Sequence, residues 1–283
     1  MLRGTYEPSI DGLRFVAFLL VFTSHAPLIG GSAVAVWFKA YGWIGVDLFF
    51  MLSAYLLFRN LIGEHDRKNR IDIANFYARR VLRIFPLMSV YVLAMLLIFG
   101  PVTDQWGLRL AGVLLFFDNI VSWFYRLNGA ITATAHLWTL SFEFQFYLVL
   151  PLVFAAFVRW GKNRFVICLA IVCVAAALAR SYLFHVDIGD PVVYVTPILR
   201  PESLFAGLLM AIYRPPWHWI WSGVIGIVAA IAAFSVPQAW NDPLAAVIQY
   251  PLAALAFVGL LDLALRCPVV RSITHHWPDC GEW

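Results

Sequence analysis

Residues 82–100 read Leu82-Arg83-Ile84-Phe85-Pro86-Leu87-Met88-Ser89-Val90-Tyr91-Val92-Leu93-Ala94-Met95-Leu96-Leu97-Ile98-Phe99-Gly100, and from Ile84 onward no side chain carries a formal charge. As a helix, this run would be about 28 Å long at 1.5 Å per residue, close to the roughly 30 Å hydrocarbon thickness of a bilayer. Comparable apolar runs occupy approximately 11–30, 43–62, 107–121, 139–158, 165–184, 202–213, 217–236 and 244–265. Most reach the roughly 20 residues a spanning helix needs. The run 107–121 is short, and 202–213 would need its flanking residues to cross.

Composition agrees. Of 283 residues 62% are hydrophobic and 13% charged, against about 25% charged in ordinary soluble domains; mean hydropathy is +0.80. Water cannot be the solvent for that much apolar surface, so the lipid bilayer is the first partner. Twelve Trp, 11 Tyr and 23 Phe suit a bundle with aromatic residues at its interfaces. The net charge of +4 is small and its basic residues sit in short loops, which reads as an orientation signal and excludes the dense basic face of a nucleic-acid binder. Glu7 precedes the first apolar run, Asp11 and Arg14 stand at its start, and no small-x-small site follows it, so it reads as a retained helix and not a cleaved signal. Cys168, Cys173, Cys267 and Cys280 form no CxxC or Cys/His spacing suited to zinc. They read as small buried apolar residues, and no metal is expected.

Lys and Arg set the expected topology. Arg59, Arg67, Lys68, Arg70, Arg79, Arg80 and Arg83 mark 59–83 as cytoplasmic; Arg159, Lys162 and Arg164, then Arg214, then Arg266 and Arg271 mark three more inside stretches. The stretches near 30–42, 185–199 and 237–243 are almost free of both residues. Between 83 and 159 the alternation requires an even number of crossings, yet there are three apolar segments. The expectation is an all-α, polytopic integral membrane protein: a helix bundle of about eight full spans with the N-terminus inside, plus 107–121 as a re-entrant or half-inserted segment shielded by other helices.

Ionisable residues in these runs are the candidates for chemistry, because a charge at mid-membrane costs at least about 2.5–3.5 kcal/mol. Arg14 and His25 lie in the first run. Eleven helical steps put them about 20° apart on one face and about 16 Å apart along the axis, too far to touch but able to line one channel. Asp47 and Ser53 share the second run, Arg79, Arg80 and Arg83 stand where the third leaves the cytoplasm, Glu143 lies within His136–Tyr147, and Arg200 and Glu202 open another run. His136, beside Trp138, reads as a structural interface residue.

In these motifs the chain resembles membrane-bound acyltransferase family 3. The family's Arg-x10-His is present as Arg14 and His25, and its Gly-Val-Asp-Leu-Phe-Phe-x-Leu-Ser run as 45–53, with Ala54 where Gly is usual. Its Arg-x-x-Arg appears as Arg80 and Arg83. Its Trp-Ser-Leu-Ser-x-Glu-x-Gln-Phe-Tyr run appears as 138–147 with Thr139 for Ser, and its Leu-Arg-x-Asp-Ala-x-x-x-Gly element as Leu199 to Gly207 with Glu202 as the carboxylate. Two domains follow on this reading: a transmembrane acyltransferase domain over 1–266, without the family's last helix, and a polar tail over 267–283.

The resemblance implies O-acylation at a bacterial-type inner (plasma) membrane. The donor is cytoplasmic acyl-CoA, acetyl-CoA first, with no permanently bound cofactor. The acceptor is a hydroxyl on a carbohydrate or lipid-linked glycan at the outer side. It implies His25 as general base, with Arg14 and Glu143 as its catalytic companions, and Arg80 and Arg83 as the grip on CoA. Asp47, Ser53, Arg200 and Glu202 would bind substrate; Glu143 and Asp47 would orient His25 or pair with Arg14 and Arg200. A transporter or flippase of a polar or lipid-linked solute is the alternative, since intramembrane charges mark transport paths equally well. An inactive truncated family member is a third reading.

Overall fold

The computed structural model describes residues 7–26, 32–125, 129–189, 192–237 and 242–268. Cys280 and all but the first two residues of the expected polar tail lie outside them. Among the described residues the regular secondary structure is helical, apart from one isolated bridge between Pro101 and Ile131. The α-helices are α1 (Pro8–His25), α2 (Ala33–Tyr41), α3 (Ile44–Lys68), α4 (Ile73–Phe99), α5 (Trp106–Leu114), α6 (Asp118–Tyr125), α7 (Trp138–His185), α8 (Val192–Val195), α9 (Glu202–Ile212), α10 (Trp219–Ser235) and α11 (Pro243–Arg266). They form two compact units, one from residues up to Gly63 and from Glu202 on, the other from Glu64 to Pro201.

The first unit is held by close backbone approaches. Lipid tails are as apolar as leucine, so helix association in a bilayer relies on tight packing and small residues. A Cβ on Gly45 of α3 would sit 2.5 Å from the Ala17 carbonyl of α1, and one on Gly207 of α9 2.3 Å from the Met51 carbonyl of α3. Gly226 of α10 and Gly259 of α11 meet in the same way. The α10–α11 pair also carries a polar clasp. Ser222 donates to the buried Asp262 at 2.5 Å, Arg266 pairs with the same carboxylate, and Trp217 Nε1 donates to Ser222 at 2.9 Å.

In the second unit α4 begins at Asp72, whose carboxylate accepts the Asn75 N–H at 3.0 Å as an N-cap. Met88 and Val92 of α4 pack with Val113, Phe116, Ile131 and Leu137 in one apolar cluster. Helix α7 is a continuous helical run except at Gly161, where φ 73° and ψ 168° leave the helical region. The rings of Phe157 and Phe165 lie 5.3 Å apart, although eight residues of straight helix would span about 12 Å; the chain therefore folds back at Gly161. Glycine accepts a positive φ without the steric cost other residues incur.

Several segments differ from the sequence reading. The expected inside loop at 159–164 is one glycine, with Arg159, Lys162 and Arg164 on helical backbone. The basic stretch 59–83 is mostly helix too, with 69–72 alone between α3 and α4. The stretch near 30–42 contains α2. The short run 107–121 breaks into α5 and α6 around Phe116, whose φ of 59° is unusual for a non-glycine residue. Four helical stretches, 44–68, 73–99, 135–185 and 243–266, are long and apolar enough to cross a membrane, and α9 and α10 are shorter apolar helices.

Candidate functional site

Arg14 and His25 stand on one helix, α1. Arg14 Nη1 pairs with Asp11 at 3.0 Å, one turn back on the same helix. His25 is exposed at the C-terminal end of α1, with Nδ1 2.9 Å from the Val21 carbonyl and 3.0 Å from Ser24 Oγ. A carbonyl only accepts, and the Ser24 hydroxyl already donates to Val21 O at 2.7 Å. Nδ1 is therefore the donor to Val21 O, and in the neutral ring Nε2 is the acceptor nitrogen. Asp47 is buried in the first turn of α3 and Glu202 in the first turn of α9, positions where a helix N-terminus favours a carboxylate. Ser53 is half-buried further along α3.

In the second unit Arg80 and Glu143, 63 residues apart, come together through Tyr147. The Tyr147 hydroxyl donates to Glu143 one turn away on α7. The Arg80 guanidinium lies over the rings of Tyr147 and Phe76, 5.9 and 5.8 Å from their centroids, within cation–π range. Arg83, one turn further along α4, is exposed. The i, i+4 spacing of Glu143 and Tyr147 is the signal in the sequence that puts them on one helix face.

The same stretch of α7 has a second face. Ser141 Oγ accepts the Asp118 N–H at 3.1 Å, and Gln145 donates to the Phe116 carbonyl at 3.0 Å and to Asn119 at 2.8 Å. Residues 141 and 145 lie about 200° around the helix from 143 and 147. One face of α7 thus holds the α5–α6 segment and the other presents Glu143 and Tyr147. Within that segment Arg109 and Asp118 form an ion pair with both side chains fully buried, and Arg109 also donates to the Thr134 carbonyl at 2.9 Å. Sequence reasoning passed over Arg109, although a lone Arg in an apolar run was its signal.

Arg200 is buried, stacks on Tyr194 at 4.6 Å and donates to the Tyr194 carbonyl at 2.8 Å. Arg180, also buried, donates to the carbonyl of Leu199 in the same turn. Both guanidinium groups thereby satisfy carbonyls of irregular backbone, a need that lipid cannot meet.

A family sequence model described as an acyltransferase domain matches residues 7–274. The O-acetyltransferase OatA of Staphylococcus aureus is 31% identical over 228 residues, covering 77% of this chain and 36% of the relative. The peptidoglycan O-acetyltransferase OatA of Listeria monocytogenes is 30% identical over 223 residues, covering 74% and 34%. The chain therefore spans about a third of the length of these curated relatives. No solved structure matches.

Proposed function

The chain belongs to the acyltransferase family matched over residues 7–274, and from that premise we propose that it is a membrane-bound O-acetyltransferase of a cell-envelope glycan. Acyl-CoA on the cytoplasmic side is the donor, and a carbohydrate or lipid-linked glycan hydroxyl on the outer side is the acceptor. The names of the relatives favour acetyl as the group moved and peptidoglycan-type glycan as the acceptor. Residues 1–266 form the transmembrane domain, multi-pass in a bacterial-type inner membrane with the N-terminus cytoplasmic. Eight full spans and a half-inserted α5–α6 segment agree with the distribution of Lys and Arg.

The observation that carries this reading is the hydrogen bond of His25 Nδ1–H to Val21 O, which makes Nε2 the acceptor nitrogen of the neutral ring. Nε2 takes the acceptor hydroxyl's proton as its oxygen attacks the thioester carbonyl. The tetrahedral intermediate then collapses, the C–S bond breaks, and the CoA thiolate leaves and recovers that proton from the imidazolium. A positioned base contributes about 10²–10⁴-fold. Arg80, on two aromatic faces, presents its remaining donors to the phosphates or pantetheine end of CoA, and the exposed Arg83 adds charge beside it. Arg14 steadies the donor, and Asp47, Ser53, Arg200 and Glu202 contribute to the substrate path.

The test is transfer of label from radiolabelled acetyl-CoA to membrane glycan in cells expressing the chain, beside His25→Ala at equal membrane abundance. Labelling is expected from the parent and to fall about 10²-fold or more in the variant. Equal labelling by both removes His25 from the mechanism.

A further inference from the structure

Lys39 is the single Lys or Arg in residues 30–42, a stretch that the proposed topology places on the outer side, where orientation does not call for basic residues. The structure gives it a fixed partner. Lys39 lies in the last turn of α2, and its Nζ donates to the Ala26 carbonyl at 3.0 Å. Ala26 is the C-cap of α1 and the neighbour of His25. The last carbonyls of a helix lack intrahelical partners, and an ammonium there supplies both a donor and a charge matched to the negative end of the helix dipole.

The helix that carries Lys39 is itself anchored. The rings of Trp37 and Tyr41 pack on Phe234 of α10 at 4.8 and 5.1 Å. Gly42, just after α2, brings backbone against α1, since a Cβ there would sit 2.2 Å from the Leu20 carbonyl and 2.9 Å from the Ser24 Cβ. The bond that sets the His25 tautomer, Nδ1–H to Val21 O, lies inside the α1 turn that Lys39 caps.

We infer that Lys39 is a positioning residue for His25: by capping the end of α1 it keeps the last turn wound, the imidazole in its Nδ1–H form and Nε2 turned out as the proton acceptor. The catalytic consequence rests on the reading of His25 as the base; the tautomer itself does not. Methionine fills similar volume but cannot donate, so Lys39→Met would remove this donor from the Ala26 carbonyl and let the turn fray. Arginine can donate, so Lys39→Arg would preserve the cap.

The experiment uses the full chain in lipid nanodiscs with ¹⁵N,¹³C-labelled histidine, the His25 signal being assigned by its loss in His25→Gln, alongside acetyl transfer from acetyl-CoA. The parent is expected to show the Nδ1–H form at alkaline pH, and Lys39→Met a shift toward Nε2–H. In Lys39→Met kcat should fall about 10- to 100-fold, part of the contribution of a positioned base, with KM for acetyl-CoA unchanged, and Lys39→Arg should restore both readouts. An unchanged His25 tautomer in Lys39→Met overturns the inference, as does a kcat loss that Lys39→Arg fails to recover. If Lys39→Met shifts the tautomer while His25→Ala still transfers acetyl, the positioning role stands and the base reading falls.

Discussion

Arg109 and Asp118 meet at two points, Nε 2.8 Å from Oδ1 and Nη2 3.2 Å from Oδ2, and neither side chain is exposed. Ser122 donates to the same carboxylate at 3.0 Å. The pair ties the first half of α5 to the start of α6 across the Phe116 bend, so the α5–α6 segment closes on itself before it reaches α7.

Removing one partner of this pair leaves the other as a buried, uncompensated charge. Arg109→Met or Asp118→Leu should each cost about 3–5 kcal/mol, while the double substitution costs less than either single change. Thermal unfolding of purified protein in one detergent is the measurement. Single variants as stable as the parent would show that water or lipid headgroups reach the site.

The two faces of the first turns of α7 should separate stability from chemistry. Gln145→Leu strands the Phe116 carbonyl and the Asn119 amide and should cost about 1–3 kcal/mol per stranded group. Tyr147→Phe keeps the ring under Arg80 and removes the hydroxyl that Glu143 accepts, so it should lower acetyl transfer with little change in melting temperature. A Tyr147→Phe protein with parental kcat and KM would sink the role given to that hydroxyl.

Gly207→Ala drives a Cβ into the Met51 carbonyl of α3, a backbone atom that cannot swing aside. Overpacking of this kind costs about 1–3 kcal/mol, read as a lower melting temperature and reduced membrane yield. Gly12→Ala, on α1 with nothing within 4 Å of the new Cβ, should instead stabilise by about 0.5–1 kcal/mol through reduced chain entropy.

Asp72 makes the start of α4 acid-sensitive. Its hydrogen bonds from the Asn75 backbone N–H and side chain, aided by Lys68 and Arg79, hold its carboxyl below the ordinary 3.8. A lowered folded-state pKa means that the stabilisation is complete above the unfolded value and is lost as pH falls through the folded value. Asp72→Ala should therefore flatten the acid limb of the stability curve at and below pH 3.8. An unchanged acid limb would remove this cap as a contributor.

Hydropathy made the long helices legible, because a run such as 82–100 has few alternatives in any solvent. The sharing of α1 by Arg14 and His25 followed from spacing. Partners were less visible. Periodicity gives a residue's face but not what lies opposite it, so the meeting of Arg80 with Tyr147 needed coordinates. The run 138–147 reads as one motif, yet Ser141 and Gln145 serve the backbone of 116–119 while Glu143 and Tyr147 face Arg80. The fold-back at Gly161 was hidden because a single residue replaces the expected loop.

The Asn119 side chain donates to the carbonyl of Val195, 76 residues later in the chain. At synthesis rates of roughly 5–20 residues per second, that acceptor leaves the ribosome about 4 to 15 s after its donor. During that interval the Asn119 amide lacks one of its final acceptors, and hydrocarbon offers no substitute. On the proposed half-inserted topology, the segment would wait at the membrane surface, or beside the insertion machinery, until the second half of its unit arrives, and its entry into the bilayer would be a late event in biogenesis.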